Sequence, residues 1–229
     1  MPSSSILAEY IEQNNDLTRD ELIACAGGRA AGLFDGDSEP TSVIYLPVEG
    51  ATEIRYYEST SLLDSLDFSA YFAKDVDREP ILGGKLWKFN IPPFQGEKMS
   101  LVSYKTDGKL HICNPIRLKT NPKPTEVNAD LVTIQSSGVN PSFNWNVGTI
   151  DENAIYFQVI SDEQDNFISG TYTFDQNFTF YELDNVVLNI TDPTSNPTLL
   201  PNTTYKFTLM GVSLDNWVNL YAERSFVTE

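Results

Sequence analysis

Short runs in which apolar residues alternate with polar ones extend from residue 43 to the C-terminus, and this period of two constrains the fold most. It predicts strands rather than helices, separated by Pro, Gly and Asp. Asp107 and Gly108 lie between two such runs and predict a tight hairpin turn. The sequence therefore predicts a small antiparallel β-sandwich domain over residues 42–119. Its predicted strands are Val43–Leu46, Ile54–Tyr57, Phe68–Phe72, Leu86–Ile91, Leu101–Tyr104 and Leu110–Ile112.

The C-terminal half repeats this pattern. Between the two halves, Thr120–Thr125 contains two prolines at alternate positions, which neither a helix nor a central strand accommodates. We therefore expect a boundary there and a second sandwich over residues 120–229. Its predicted strands are Phe143–Val147, Ile155–Val159, Thr171–Phe174, Phe178–Leu183, Val186–Ile190, Tyr205–Val212, Trp217–Tyr221 and Ser225–Thr228.

The N-terminus has a different periodicity. Apolar residues between Ile6 and Ile11 are spaced as one stripe on a helix. Thr18–Glu21 matches a helix capping box, and Gly27 and Gly28 are typical of a helix C-terminus. Residues 1–41 are therefore predicted to form a helical N-terminal segment.

The charge of the chain narrows the possible partners. The 229 residues carry a net charge of -17, and residues 120–229 hold fourteen acidic residues against three basic ones. Such a chain is repelled by nucleic-acid phosphates and by anionic lipid, so we expect neither as a partner. No apolar run is long enough for a membrane-spanning helix, and we expect no direct membrane span.

Few residues suited to catalysis or metal binding are present. The chain has one His and two Cys, and no nucleophile–base, phosphate-binding or dinucleotide-binding motif. His111 and Cys113 share one face of a predicted strand, which is the ordinary arrangement of two strand neighbours. We expect no enzyme activity, no catalytic site, no cofactor and no metal centre. One alternative remains open at Asp35–Glu39, where alternating acids resemble a calcium loop without its glycine.

One stretch of the second predicted sandwich resembles a known family. Leu199–Tyr205 reads L-x-P-x-T-x-Y and resembles the corner before strand F of fibronectin type III domains. Trp145 resembles the core tryptophan of that family, and Ser225–Thr228 its closing strand. The resemblance implies that Tyr205 is buried and that its hydroxyl bonds to the backbone a few residues upstream. Residues 42–119 resemble immunoglobulin-like modules without such a motif.

In style, the whole chain resembles the mature part of a secreted or surface-anchored protein of Bacteroidetes type. That resemblance implies an extracellular, cell-surface or periplasmic location and a role in adhesion or spacing. Met1–Ser5 lacks the features of a signal peptide, so we expect the leader to be absent from this chain. Leu22–Cys25 spells a bacterial lipobox, but acidic and polar residues precede it where an apolar segment is needed. Cys25 and Cys113 could form a disulfide or remain free thiols.

Two functions remain open from the sequence. The first is a non-enzymatic extracellular or cell-surface interaction or spacer module with a protein or glycan partner. The second is a carbohydrate-binding module of a polysaccharide-utilisation system, which needs exposed aromatic rings for stacking on sugars. Trp217 and Tyr221 are four residues apart on a predicted strand and are the candidate ligand-binding residues, although sandwich cores use the same spacing.

Overall fold

The computed structural model describes residues 4–28, 41–60, 62, 65–135 and 138–229. The chain is mainly β and divides into two compact units. The first unit comprises Met1–Ile81, Lys85–Pro124 and Asp215–Trp217. The second unit comprises Leu82–Gly84, Thr125–Leu214 and Val218–Glu229.

The N-terminal helix is present but short. Helix α1 spans Leu7–Gln13 and buries Leu7, Tyr10 and Ile11, which confirms the apolar stripe. It ends at Asn14, whose side-chain amide donates to the Tyr10 carbonyl oxygen at 2.7 Å.

The second predicted helix, which would begin at the Thr18 capping box, is wrong. Strands β1 (Thr18–Leu22) and β2 (Ala24–Gly28) occupy this part of the chain. The Glu21 N–H donates to the Asp20 carboxylate at 2.9 Å, so the capping contact to the Thr18 hydroxyl does not form. Strand β1 instead pairs in parallel with β9 (Lys109–Cys113), and this long-range pairing outweighs the local helix signal.

The first unit contains two sheets. Besides β1, β2 and β9, its strands are β3 Thr41–Tyr45, β4 Thr52–Glu58, β5 Phe72–Lys74, β6 Arg78–Ile81, β7 Leu86–Ile91, β8 Lys98–Thr106 and β10 Ile116–Leu118. One sheet has the order β1-β9-β8-β4-β5, with β10 also paired to β8, and the other has the order β2-β3-β7-β6. When β2 to β9 are lettered A to G in chain order, with β5 as C′, the sheets match the ABED and CFG sheets of the immunoglobulin arrangement.

Most predicted strands of this sandwich are confirmed. Asp107 and Gly108 both have positive φ, at 34° and 77°, as the predicted hairpin turn between β8 and β9 requires. The strand predicted over Phe68–Phe72 is wrong: Phe68–Ala70 is a 3₁₀ turn capped by Asp67, and β5 begins only at Phe72. Strands β6 and β10 have no counterpart among the predictions.

The core of the first unit is rich in tyrosine and includes one distant residue. Trp217 is fully buried in this core, and its indole N–H donates to the Lys123 carbonyl oxygen at 2.8 Å. The neighbouring Asp215 forms a 2.7 Å ion pair with Lys119, which is itself buried. The first unit is therefore completed by residues that follow its main body by about ninety positions. Its buried tyrosines are Tyr10, Tyr45, Tyr56, Tyr57, Tyr71 and Tyr104.

The second unit is also a two-sheet sandwich. Its strands are β11 Glu126–Val127, β12 Val132–Gln135, β13 Ser142–Trp145, β14 Ile155–Asp162, β15 Phe167–Thr173, β16 Asn177–Thr179, β17 Val186–Asn189, β18 Thr204–Val212 and β19 Val218–Val227. The two sheets have the orders β11-β19-β18-β14-β15-β17 and β12-β13-β16. Phe143 and Phe207 stack in the core with ring centroids 4.0 Å apart, and Trp145 packs edge-on against Tyr156.

The predicted tyrosine corner is confirmed. Tyr205 is buried, and its hydroxyl accepts a 2.9 Å hydrogen bond from the Leu200 N–H, five residues upstream. Trp145 is a core residue, as predicted. The two predicted strands nearest the C-terminus are one continuous strand, β19.

Candidate functional site

The structure places the two candidate sugar-stacking rings in the interior. Trp217 is 0% exposed and Tyr221 is 2% exposed. Trp217 precedes strand β19 and belongs to the first unit, whereas Tyr221 lies on β19 in the second unit. The Tyr221 hydroxyl donates to the Glu223 carboxylate at 3.1 Å. The two residues therefore do not form an exposed stacking platform.

The two cysteines are free thiols. Cys113 lies in the core of the first unit, whereas Cys25 pairs with Ile44 and alternates with the core residue Ala26 along β2. Burial raises the pKa of each thiol to about 12, so both are protonated and poorly nucleophilic at neutral pH.

His111 has partners other than Cys113. Its Nε2 lies 2.8 Å from the Thr106 hydroxyl, and its ring stacks on Tyr104 with centroids 4.7 Å apart. These contacts hold the imidazole in the packed interior of the first unit. The contacts described for His111 therefore give it a structural role.

Two further sequence features concern cations and membranes. The possible calcium loop at Asp35–Glu39 lies outside the described residues. Elsewhere, across the ranges that the structure does describe, no group of three or more His, Cys, Asp or Glu side chains could hold a metal ion. Within those same ranges, no helix has the length and apolar character needed to cross a membrane.

An exposed apolar edge of the second unit is the candidate interaction surface. We define the β17 edge as Phe174, Leu183, Val187 and Leu188. Their exposed fractions are 65%, 41%, 48% and 41% in the same order. Single exposed apolar side chains are normal on protein surfaces, but several within fifteen residues on and beside one strand pair mark a candidate contact surface.

Strand pairing brings these four residues together. Among the described strands, β17 is the last of its sheet and pairs only with β15, through Tyr172 with Leu188 and Thr173 with Val186. Val187 is therefore the extra residue of a β-bulge. Phe174 follows directly after Thr173, and the Val186 N–H donates to the Leu183 carbonyl oxygen at 3.1 Å, which places Leu183 in the turn before the strand.

The charged residues of the segment that carries the β17 edge are all acidic. Asp175, Glu182, Asp184 and Asp192 lie between residues 174 and 192. The sequence contains no Lys or Arg between Lys123 and Lys206. The alternating pattern at Val186–Ile190 predicts β17 but not its exposed edge, because the order of strands in the sheet decides which strand is outermost.

Comparison with known proteins gives no family assignment. No protein-family description matches the chain, and no curated protein matches it. Among solved structures, Tp47, the 47-kilodalton lipoprotein of Treponema pallidum, is 8% identical with a TM-score of 0.31. That similarity covers 91% of this chain and 51% of Tp47, so the chain spans about half the length of Tp47. The chicken CNTN1 FN1–FN3 domains are 9% identical with a TM-score of 0.34, covering 93% of this chain and 68% of that one.

Proposed function

We propose that the chain is a non-enzymatic interaction module, at the cell surface or outside the cell, that binds a protein partner through the β17 edge. The observation that carries the proposal is the exposed apolar character of that edge at the end of a sheet. Immunoglobulin-like sandwiches are common architectures of cell-surface domains, which supports the proposed location.

Strand addition is the binding mode that fits this edge. The outermost strand of a sheet presents unpaired backbone N–H and C=O groups, and an extended segment of a partner can pair with them. Alternate side chains of that segment then contact apolar side chains such as Leu188 and Phe174. The bulge at Val187 limits the pairing to a short stretch, so we expect a weak, short contact rather than a continuous sheet.

Charge restricts the partner further. The four carboxylates near the β17 edge disfavour an acidic segment and attract a basic one. The proposed ligand is therefore an extended segment that alternates apolar residues with Lys or Arg.

A peptide-display selection against the full chain tests this function. We expect enrichment of extended peptides that alternate apolar and basic residues. Leu188→Lys should abolish the enrichment, because it places a positive charge on the docking strand. Val227→Lys is the matched control, because Val227 is 55% exposed on β19 of the same sheet. Enrichment that survives Leu188→Lys unchanged would contradict the proposal.

The carbohydrate-binding alternative has a separate test. Stacking on a sugar requires an exposed ring face, and Trp217 and Tyr221 are buried. When the unmodified chain is applied to a glycan array, we therefore expect no sugar to bind through the rings of Trp217 and Tyr221. If the chain binds a neutral glycan and the peptide selection enriches no sequence, the carbohydrate function is favoured over the protein-binding function.

A further inference from the structure

A depression in the first unit has a charge opposite to that of the protein. It has a volume of about 320 Å³ and is lined by β4, β5, β6, β7 and the connection between β5 and β6. Three cationic residues and one acidic residue line it, although the whole chain carries a net charge of -17. The lining includes Arg55, Tyr56, Lys74, Asp75, Arg78 and Phe89.

The depression has two buried aromatic residues in its lining. Tyr56 is 1% exposed and Phe89 is 3% exposed, and their ring centroids are 5.2 Å apart. The Tyr56 hydroxyl donates to the Glu58 carboxylate at 2.9 Å, so its polar group is already bonded within the protein. Ile54, Ala73 and Val76 pack against the core to which these rings belong and are themselves half-buried, so they, rather than the rings, offer apolar surface to a ligand.

Packing orders two of the three cations. The Arg78 guanidinium donates to the Tyr45 hydroxyl at 3.0 Å and lies 5.0 Å from the centroid of the Trp87 ring. The Arg55 guanidinium donates to the Ser4 carbonyl oxygen at 3.0 Å and lies 4.0 Å from the centroid of the Tyr10 ring. A guanidinium has five N–H donors, so Arg78 retains donors for a further acceptor.

Lys74 is the most available of the three cations. It is exposed at the end of β5, opposite Tyr56 of β4. Among the ion pairs and side-chain hydrogen bonds of the described residues, none includes Lys74. Asp75, the single acid of the lining, leaves the depression with an excess of positive charge.

We propose that this depression binds a small organic anion, with a carboxylate held by Lys74 and Arg78 and a compact organic body against the half-buried apolar residues of the lining. An arginine fork matches the two oxygens of a carboxylate, and a nearby ammonium adds a second charge-assisted hydrogen bond. The volume lies at the small end of ligand pockets, which fits a monosaccharide acid or a simple aromatic acid.

NMR titration of the full ¹⁵N-labelled chain tests the proposal with three probes. D-glucuronate and benzoate carry the carboxylate on a sugar and on an aromatic ring, and D-glucose is the neutral counterpart of the sugar acid. We expect saturable shifts in β5 and β6 with at least one of the two acids and none with D-glucose. The acid that binds more tightly identifies the ligand type. Equal shifts with D-glucose, or no saturable shift near β5 with either acid, would overturn the proposal.

Two variants test the residues directly. Lys74→Gln should raise the dissociation constant of the bound acid about tenfold, and Arg78→Gln should do so by at least as much. Lys109→Gln is the control with the same loss of charge, because Lys109 lies on β9 and does not line the depression. Lys74→Gln keeps the test valid even if Arg78→Gln disturbs the Tyr45 contact. If Lys74→Gln and Lys109→Gln lower the affinity for the acid equally, the effect of charge is non-specific and the assigned site is contradicted.

Discussion

The two units share a sandwich architecture but differ in how their cores are assembled along the chain. The second unit is nearly contiguous, and its packed rings come mainly from residues between Val132 and Phe226. The first unit contains a helix and a parallel strand pair, and its core includes Trp217 from far along the sequence. The second unit can therefore be produced as a single contiguous fragment more readily than the first unit.

The largest expected effect separates the two units as fragments. We predict that residues 120–229 fold alone, because that fragment contains both sheets of the second unit. Residues 1–124 should fail to form a stable sandwich, because they lack Trp217 and the Asp215 partner of Lys119. Thermal melts and amide dispersion of each fragment measure the difference. Cooperative melting of residues 1–124, with the midpoint of the intact chain, would contradict this asymmetry.

Trp217→Ala tests the same asymmetry with one side chain. Removing this fully buried ring should cost about 3–5 kcal/mol of unfolding free energy, from the cavity that it leaves. The effect should fall on the first unit, to whose core Trp217 belongs. Leu214→Ala, three residues earlier and 91% exposed, is the control and should change stability by less than about 0.5 kcal/mol. Urea unfolding measures both, and equal effects would show that Trp217 has no special place in the core.

The difference between the units also explains which elements the sequence could predict. In the second unit, the tyrosine corner and Trp145 are local patterns that were confirmed, and most of the alternating strands were found, although the strand predicted over Phe178–Leu183 ends at Thr179. In the first unit, β1 is fixed by its pairing with β9, about ninety residues later, and no local pattern records that pairing. The capping box at Thr18 was therefore misleading, because tertiary pairing overrode local propensity.

The candidate sites were less predictable than the strands. The spacing of Trp217 and Tyr221 suggested a shared face, but the chain enters β19 only after Trp217, so the spacing did not apply. The depression in the first unit depends on β6, which was not predicted, because Arg78 and the proline in that strand gave no apolar alternation. The geometry of the β17 edge and of the depression depends on the order of strands in each sheet, which a single sequence does not reveal.

Alkaline pH should weaken the first unit more than the second. Burial raises the pKa of Cys25 and Cys113 from near 9 to about 12, and it also raises the pKa of Tyr45 and Tyr56. The folded state favours the protonated form of these groups. Their contribution to the free energy of unfolding is therefore complete below their pKa in the unfolded state. It is lost as the pH rises towards their pKa in the folded state.

The two cysteines alone should cost the first unit about 2 kcal/mol per pH unit between pH 9 and 11, because each contributes about 1 kcal/mol per pH unit. Trp145→Phe removes the only tryptophan of the second unit. In this variant, tryptophan fluorescence comes from Trp87 and Trp217 and therefore reports urea unfolding of the first unit. Replacing both cysteines by Ala should make the decline with pH shallower. A decline of equal slope in the cysteine-free variant would assign the pH dependence to other groups.

The smallest expected effect concerns the second unit alone. Tyr205→Phe keeps the buried ring but removes the acceptor of the Leu200 N–H. An unsatisfied backbone donor costs about 1–3 kcal/mol, and the exposure of Leu200 favours the lower end, because water can replace part of the lost bond. We therefore expect a loss of about 1 kcal/mol in the unfolding free energy of residues 120–229. Thr204→Ala is the control, because Thr204 is half-buried and its hydroxyl makes no described hydrogen bond. Equal stability of Tyr205→Phe and the unmodified fragment would show that the corner is held by ring packing alone.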